Sequence, residues 1–197
     1  MRSAEIYRKT AETEINASLS IDGEGKSEIN TGCGFLDHML TLFAKHSRMD
    51  ISVKAKGDIE VDYHHLTEDV GIVLGKALFD ALNTEGAKVG MRRYGDIILP
   101  MDEALILSAV DVSGRAHLEY FAEIPANKVG DFDTELCEEF WLGFVRNSAI
   151  TLHIRQLAGK NSHHIIEGIF KSVGRSLGEA LSKDGRFNDI PSTKGVL

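Results

Sequence analysis

Alternation marks the start of the chain. Ile15, Ala17, Leu19 and Ile21 are apolar while Asn16, Ser18, Ser20 and Asp22 are polar, the two-residue period of a strand buried on one face. Asp22-Gly23-Glu24-Gly25 reads as a turn, and the first forty residues read as strand. The period changes after Gly34, where Phe35, Leu36, Met39, Leu40, Leu42 and Phe43 form one stripe of a helix. Residues 51–56 and 58–62 pattern as a hairpin turning at Gly57-Asp58. A long helix follows from about His64 to Leu82, stopped by the polar cluster Asn83 to Gly86. The second half has the same rhythm: strand signals at 96–99, 104–112 and 116–123, a helix over 134–148, a strand over Ile150–Ile154, and a helix from about His163 to Leu181. The tail after Ser182 is polar and carries Gly185, Pro191 and Gly195.

The rhythm contains a repeat. HHLTEDVGIVLGKAL at 64–78 overlays HHIIEGIFKSVGRSL at 163–177, an offset of 99 residues. The shared positions are His64/His163, His65/His164, Glu68/Glu167, Gly75/Gly174 and Leu78/Leu177. Apolar coincidences between helices are common, but a repeated His-His-x-x-Glu is not. The expectation is an α+β domain built by internal duplication, with residues 1–92 and 93–197 as strand–helix–hairpin–helix halves whose helices pack on antiparallel sheets.

Composition narrows the classes. The 197 residues suit one large domain or two small ones sharing a core. With 43% hydrophobic and 26% charged residues, wholesale disorder is excluded. A net charge of −8 argues against a general nucleic-acid or anionic-membrane binder. No apolar stretch reaches the ~18 residues of a membrane span, and the start MRSAEIYRKT lacks an apolar leader core. Two cysteines, Cys33 and Cys137, make no disulfide framework and suit a reducing cytosol, so a cytoplasmic location is expected. A nucleophilic role for either thiol would need an activating base.

The duplicated motif carries the chemistry. On a helix, residues i and i+4 share a face and i+1 turns away by ~100°. His64 and Glu68 therefore address one ion while His65 points elsewhere, and His163, Glu167 and His164 repeat the arrangement. If the two helix starts face each other, one site takes His64, Glu68 and His164, and the other His163, Glu167 and His65. Two imidazoles and a carboxylate suit Mn²⁺, Fe²⁺, Zn²⁺ or Co²⁺. The repeat suggests one more ligand from each half: His38, 26 residues before His64, and Glu139, 24 before His163. His153, on an apolar strand, is a rival to Glu139, although such a histidine is more ordinarily a hydrogen-bonded core or pocket residue.

The chain resembles the imidazoleglycerol-phosphate dehydratase family, lyases of histidine biosynthesis, along essentially its whole length. The resemblance rests on Arg8-x-Thr10-x-Glu12-Thr13, Gly34-Phe35-Leu36-Asp37-His38-Met39-Leu40 and Asp62-Tyr63-His64-His65-Leu66-Thr67-Glu68-Asp69. It continues through Arg93-Tyr94-Gly95, Pro100-Met101-Asp102-Glu103-Ala104, Asp111-Val112-Ser113-Gly114-Arg115, Ser162-His163-His164-Ile165-Ile166-Glu167 and Pro191-Ser192-Thr193-Lys194-Gly195.

The resemblance implies a ribosomal-S5-domain-2-like fold and a homo-oligomeric shell of 24 subunits with active sites between them. It also implies two Mn²⁺ per active site, one held by His38, His65, His163 and Glu167, the other by His64, Glu68, Glu139 and His164. Many relatives carry His where this chain has Glu139. The implied reaction dehydrates D-erythro-imidazole-glycerol phosphate, a small phosphorylated imidazole, to imidazole-acetol phosphate. The proton to be lost has no neighbouring carbonyl, so two metals, each on one ring nitrogen, would supply an imidazolate that expels the hydroxyl.

Glu12 is the expected acid/base carboxylate and Asp102 a second candidate. Arg93, Arg115 and Lys194 suit the phosphate, with Ser192, Thr193, Lys171 and His46 as further substrate contacts alongside His38, His64, Glu68 and His163. Two alternatives differ in class: a dinuclear phosphate-ester hydrolase, which the scarcity of Asp ligands disfavours, and a non-catalytic metal-binding shell protein.

Overall fold

The computed structural model describes residues 2–186, 188–195 and 197. Its first sheet is made by β1 (Ser3–Lys9), β2 (Thr13–Ser20), β3 (Ser27–Asn30) and β4 (Asp50–Gly57), in the order β1-β2-β4-β3. β1, β2 and β4 are antiparallel neighbours, while β3 runs parallel to β4 through the crossover helix α1 (Gly34–Ser47). Helix α2 (His64–Leu82) completes the half. The second sheet follows the same plan: β5 (Tyr94–Met101), β6 (Ala104–Asp111), β7 (His117–Phe121), a two-stranded insert β8 (Lys128–Val129) and β9 (Phe132–Asp133), helix α3 (Leu136–Ser148), β10 (Thr151–Ala158) and helix α4 (Ser162–Leu181). Its order is β5-β6-β10-β7, again with one parallel pair across the crossover helix.

The α+β class is as expected, but the order within each half is three strands, helix, strand, helix. No hairpin forms at 51–62. β4 already has β2 on one side and β3 on the other, so a strand returning over 58–62 would find no free edge for its backbone groups. The chain turns there, closed by Val61 N–H donating to Asp58 O at 2.8 Å, and enters α2. The β8–β9 insert carries no signal in the hydrophobic pattern.

The core lies between helices. α2 packs on β1 and β2 and against α3; α4 packs on β5 and β6 and against α1. The layers are therefore sheet, two helix layers, sheet. Strand alternation puts Ile15, Ala17 and Leu19 inward from β2 and Ile106 and Val110 inward from β6. Phe43, Phe140, Trp141, Phe144 and Phe170 fill the space between the helix layers, with ring centroids 4.9–6.2 Å apart.

Glycine sets how closely the helices approach. A Cβ on Gly71 or Gly75 of α2 would strike the Phe140 or Phe144 carbonyl of α3. A Cβ on Gly174 of α4 would lie 3.0 Å from the Phe43 carbonyl of α1, and one on Gly178 2.5 Å from that of Ser47. Successive turns meet in the same sequence order, so each pair runs parallel and both its helices begin at the same end.

Candidate active site

The shared start of α1 and α4 assembles the first cluster. His163 stands one turn before Glu167, and α1 brings His38 across from the other half of the chain. The Nε2 of His163 lies 3.1 Å, and that of His38 3.5 Å, from Glu167 Oε2. These three offer donor atoms all within 4.8 Å of one another, the one such trio among the described residues. The Phe35 ring meets His163 edge-on at 5.3 Å between centroids and limits its rotation. Lys171, one turn beyond Glu167, places Nζ 2.5 Å from Glu167 Oε1 and 3.5 Å from Met101 Sδ. Burial alone would raise the Glu167 carboxyl, but Lys171, His163 and His38 outweigh it and hold it below the usual range.

The repeat has a matching position in the other helix pair. Gly75 meets Phe144 as Gly174 meets Phe43. Glu139 stands five residues before Phe144 as His38 stands five before Phe43, and His64 eleven before Gly75 as His163 stands eleven before Gly174. Parallel packing in a common register therefore gives Glu139 on α3 the backbone position that His38 holds on α1, although its carboxylate does not gather with the donor atoms of His64 and Glu68 as His38 does with His163 and Glu167. His153 has no such place. It is exposed on the sheet face turned away from the helices, its ring 5.8 Å from that of His117, and is not the core or pocket histidine expected of an apolar strand.

His65 and His164 turn away from their neighbours, as the helix geometry requires: the paired rings lie 83° and 81° apart. Neither joins the cluster of His38, His163 and Glu167 within the chain. His65 instead has Nδ1 3.0 Å from Asp58 Oδ2 and Nε2 3.8 Å from Glu12 Oε1. His164 has Nδ1 2.7 Å from Glu103 Oε2 and Nε2 3.6 Å from Asp102 Oδ2. The hydrogen bond to Asp58 raises the basicity of His65, and that to Glu103 raises His164. Glu103 is driven down to about 2 by His164 and by the backbone N–H groups of Asn161 and Lys160. Glu12 and Asp102 thus occupy equivalent places, in the turns β1–β2 and β5–β6. Asp58 and Glu103 are the residues that the sequence reading missed. Asp58 reads as a turn, and Glu103 was visible only as a letter of a longer motif.

The cationic residues gather at the opposite end. Arg93 grips Asp111 with Nε at 2.7 Å and Nη2 at 3.2 Å, and donates through Nη1 to Pro191 O at 3.0 Å. Arg115 Nη2 lies 3.7 Å from Asp111 Oδ2. Ser192 sits in the adjoining turn, where Lys194 N–H donates to Ser192 Oγ at 3.3 Å; Thr193 and Lys194 are exposed. The Arg93 backbone N–H bonds to Ala180 O in the last turn of α4, about 25 Å along that helix from His163. His46, near the end of α1, is half-buried; burial, then Lys171 and Arg175, lower its basicity. Both cysteines are buried, and burial pushes the Cys137 thiol up to about 12 and raises that of Cys33, which removes them as nucleophiles.

No helix among the described residues is long and apolar enough to cross a membrane. The sequence profile of one family, imidazoleglycerol-phosphate dehydratase, matches residues 31–177. Relatives named imidazoleglycerol-phosphate dehydratase include one from Desulforamulus reducens, 56% identical over 100% of this chain and 98% of its own length. Another, from Acetivibrio thermocellus, is 55% identical over 100% and 99%. Crystal structures of the dehydratase from Staphylococcus aureus (44% identity, 92% of this chain and 99% of that one, TM-score 0.83) and from Pyrococcus furiosus, in complex with (S)-C348 (38%, 98% and 100%, 0.82), share the fold. The chain belongs to the imidazoleglycerol-phosphate dehydratase family, hydro-lyases of histidine biosynthesis.

Proposed function

We propose that this chain dehydrates D-erythro-imidazole-glycerol phosphate to imidazole-acetol phosphate at a site that takes two Mn²⁺ and is completed between copies of the chain. The cluster of His38, His163 and Glu167 carries the reading. Donors bound about 2.1 Å from one cation lie about 3–4 Å apart, the spacing of these atoms. Two imidazoles and a carboxylate are a competent Mn²⁺ set, and the duplicated helix start offers a second set of donor types in His64, Glu68 and Glu139. His65 and His164, turned outward, are the donors free to complete sites on neighbouring copies. When bound, the metals supply Lewis acidity to the substrate ring.

The remaining chemistry belongs to the chain. Glu12 Oε1, exposed beside His65 Nε2, takes the carbon-bound proton, and Asp102 Oδ2 occupies the matching position beside His164. Arg93 has three of its five N–H donors engaged by Asp111 and Pro191. Its two remaining donors, with Arg115, Lys194 and the Ser192–Thr193 turn, hold the phosphate. Lys171 and His46 stand further along α4 and α1 as substrate contacts. The distance between the cationic end and the histidine end of one chain is the reason a site must draw on several copies. Tyr94, Ile98, Phe121 and Leu157, each about half exposed on the outer face of the second sheet, give that assembly an apolar surface.

The deciding experiment incubates metal-replete protein with imidazole-glycerol phosphate and follows ketone formation and inorganic phosphate release together. Ketone without phosphate is expected, lost on chelation and restored by Mn²⁺. Phosphate release would make the protein a dinuclear phosphatase, and no turnover a metal-binding shell.

A further inference from the structure

We infer that Asp58 and Glu103 are positioning residues that fix the tautomers of His65 and His164, so that each ring presents Nε2 as an unprotonated donor. The inference rests on the metal reading above and deepens it. An ionised carboxylate only accepts hydrogen bonds. The contacts of 3.0 Å to Asp58 and 2.7 Å to Glu103 therefore require the proton on Nδ1 of the neutral ring. The lone pair is left on Nε2, the atom that faces Glu12 in one half and Asp102 in the other. The same device is built twice from non-equivalent parts. Asp58 comes from the β4–α2 turn, and Glu103 from the β5–β6 turn. A contact arrived at separately in each half is tied to what the two histidines must do, since shared ancestry of the halves does not account for it.

The two carboxylates differ in how firmly they are held, and the difference makes the inference testable. Glu103 Oε1 accepts from Asn161 N–H at 2.8 Å and from Lys160 N–H at 3.2 Å, which leaves Oε2 for His164. An amide at this position must keep its oxygen on those two donors, so its NH₂ faces His164. It would donate to Nδ1, and the imidazole proton moves to Nε2. Asp58 has no such anchor: its Oδ1 is buried without a hydrogen-bond partner among the described residues. An amide at 58 is free to turn its oxygen toward His65 and preserve the tautomer. Glu103→Gln should therefore damage its site, Asp58→Asn should be nearly silent, and Asp58→Ala should damage the other site.

Two readouts test this, one independent of metal. Solid-state ¹⁵N spectra of the histidine-labelled, metal-free assembly at about pH 9, where the imidazoles are neutral, report which ring nitrogen carries the proton. His164 should show Nδ1–H in the wild type and Nε2–H in Glu103→Gln, while Asp58→Asn leaves His65 as Nδ1–H. Mn²⁺ titration followed by the EPR signal of the free ion should show one class of site weakened about 10–100-fold in Glu103→Gln, and the other in Asp58→Ala, with apo melting temperatures unchanged. Wild-type His164 protonated on Nε2, or unaltered Mn²⁺ affinities in both damaging variants, overturns the assignment. A wild type that binds no Mn²⁺ while showing the Nδ1–H tautomer refutes the metal reading instead and leaves the positioning role standing.

Discussion

The Asp69 carboxylate touches two residues of the first hairpin, Arg8 and Thr13, and its side chain is only 9% exposed. Glu12 lies between those two on the chain, so Asp69 fixes where Glu12 stands relative to His65, one turn earlier on α2. Asp69→Ala should lower kcat through the displaced hairpin and cost about 1–3 kcal/mol of stability, read by substrate kinetics and urea unfolding. Glu12→Gln keeps size and removes basicity. It should lower kcat by ~10²–10⁴ with manganese content intact, and near-normal turnover would reassign the proton to another group. Asp22 supplies a pH handle away from the site. Its bond to the Arg2 guanidinium, stronger than the opposing effect of burial, holds its carboxyl below the usual range. The stability it adds is present above the unfolded value near 3.9 and is lost as pH falls through the lower folded value. The melting-temperature gap between wild type and Asp22→Asn should thus be full at neutral pH and close as pH falls below the folded value. His163 and Glu167 were legible as residues because i, i+4 spacing and a second copy both point at them, while His38 was reached only as the further ligand expected of its half. Asp58 was not, since an acid after glycine reads as a turn whatever its side chain does.

Among the elements, the two helix pairs owe their registers to small residues. Gly75 and Gly174 were visible as repeat identities, but only packing shows their purpose: each admits a neighbouring carbonyl where a methyl group would sit. Gly75→Ala strikes the Phe144 carbonyl squarely and should cost about 1–3 kcal/mol. Gly174→Ala, with 3.0 Å of clearance from Phe43 O, should cost less. Thermal unfolding of the two variants tests the order, and an equal cost would mean that the pairs yield equally. Because these contacts set the register of α3 on α2, and with it the place of Glu139 along the start of α2, Gly75→Ala should also reduce manganese bound at the proposed second position before it reduces fold. The helices and most strands were readable from period alone. The hairpin at 51–62 was misread because alternation reports which face a residue takes and is silent on whether a sheet edge is vacant, and β4 has none.

At the scale of the molecule, the motif histidines and the cations proposed for the phosphate occupy opposite ends of one chain. His163→Ala and Arg93→Ala should each abolish activity alone, through different ends. Mixed in one assembly, they should recover a fraction of it, because some sites then draw a sound histidine end and a sound cationic end from different chains. Subunits unfolded together and reassembled with Mn²⁺ would show this in a turnover assay, and mixtures no better than either variant alone would place the whole site in one chain. Ions held only by the assembled form stabilise it by mass action, so chelation should shrink the particle and silence it together. If sites are shared between copies as proposed, specific activity is no fixed property of the polypeptide. Where chains begin to part, turnover falls as a power of concentration greater than one, and halving the supply of subunits removes more than half of the flux. A cell holding this protein near its assembly threshold would feel gene dosage more steeply than linearly.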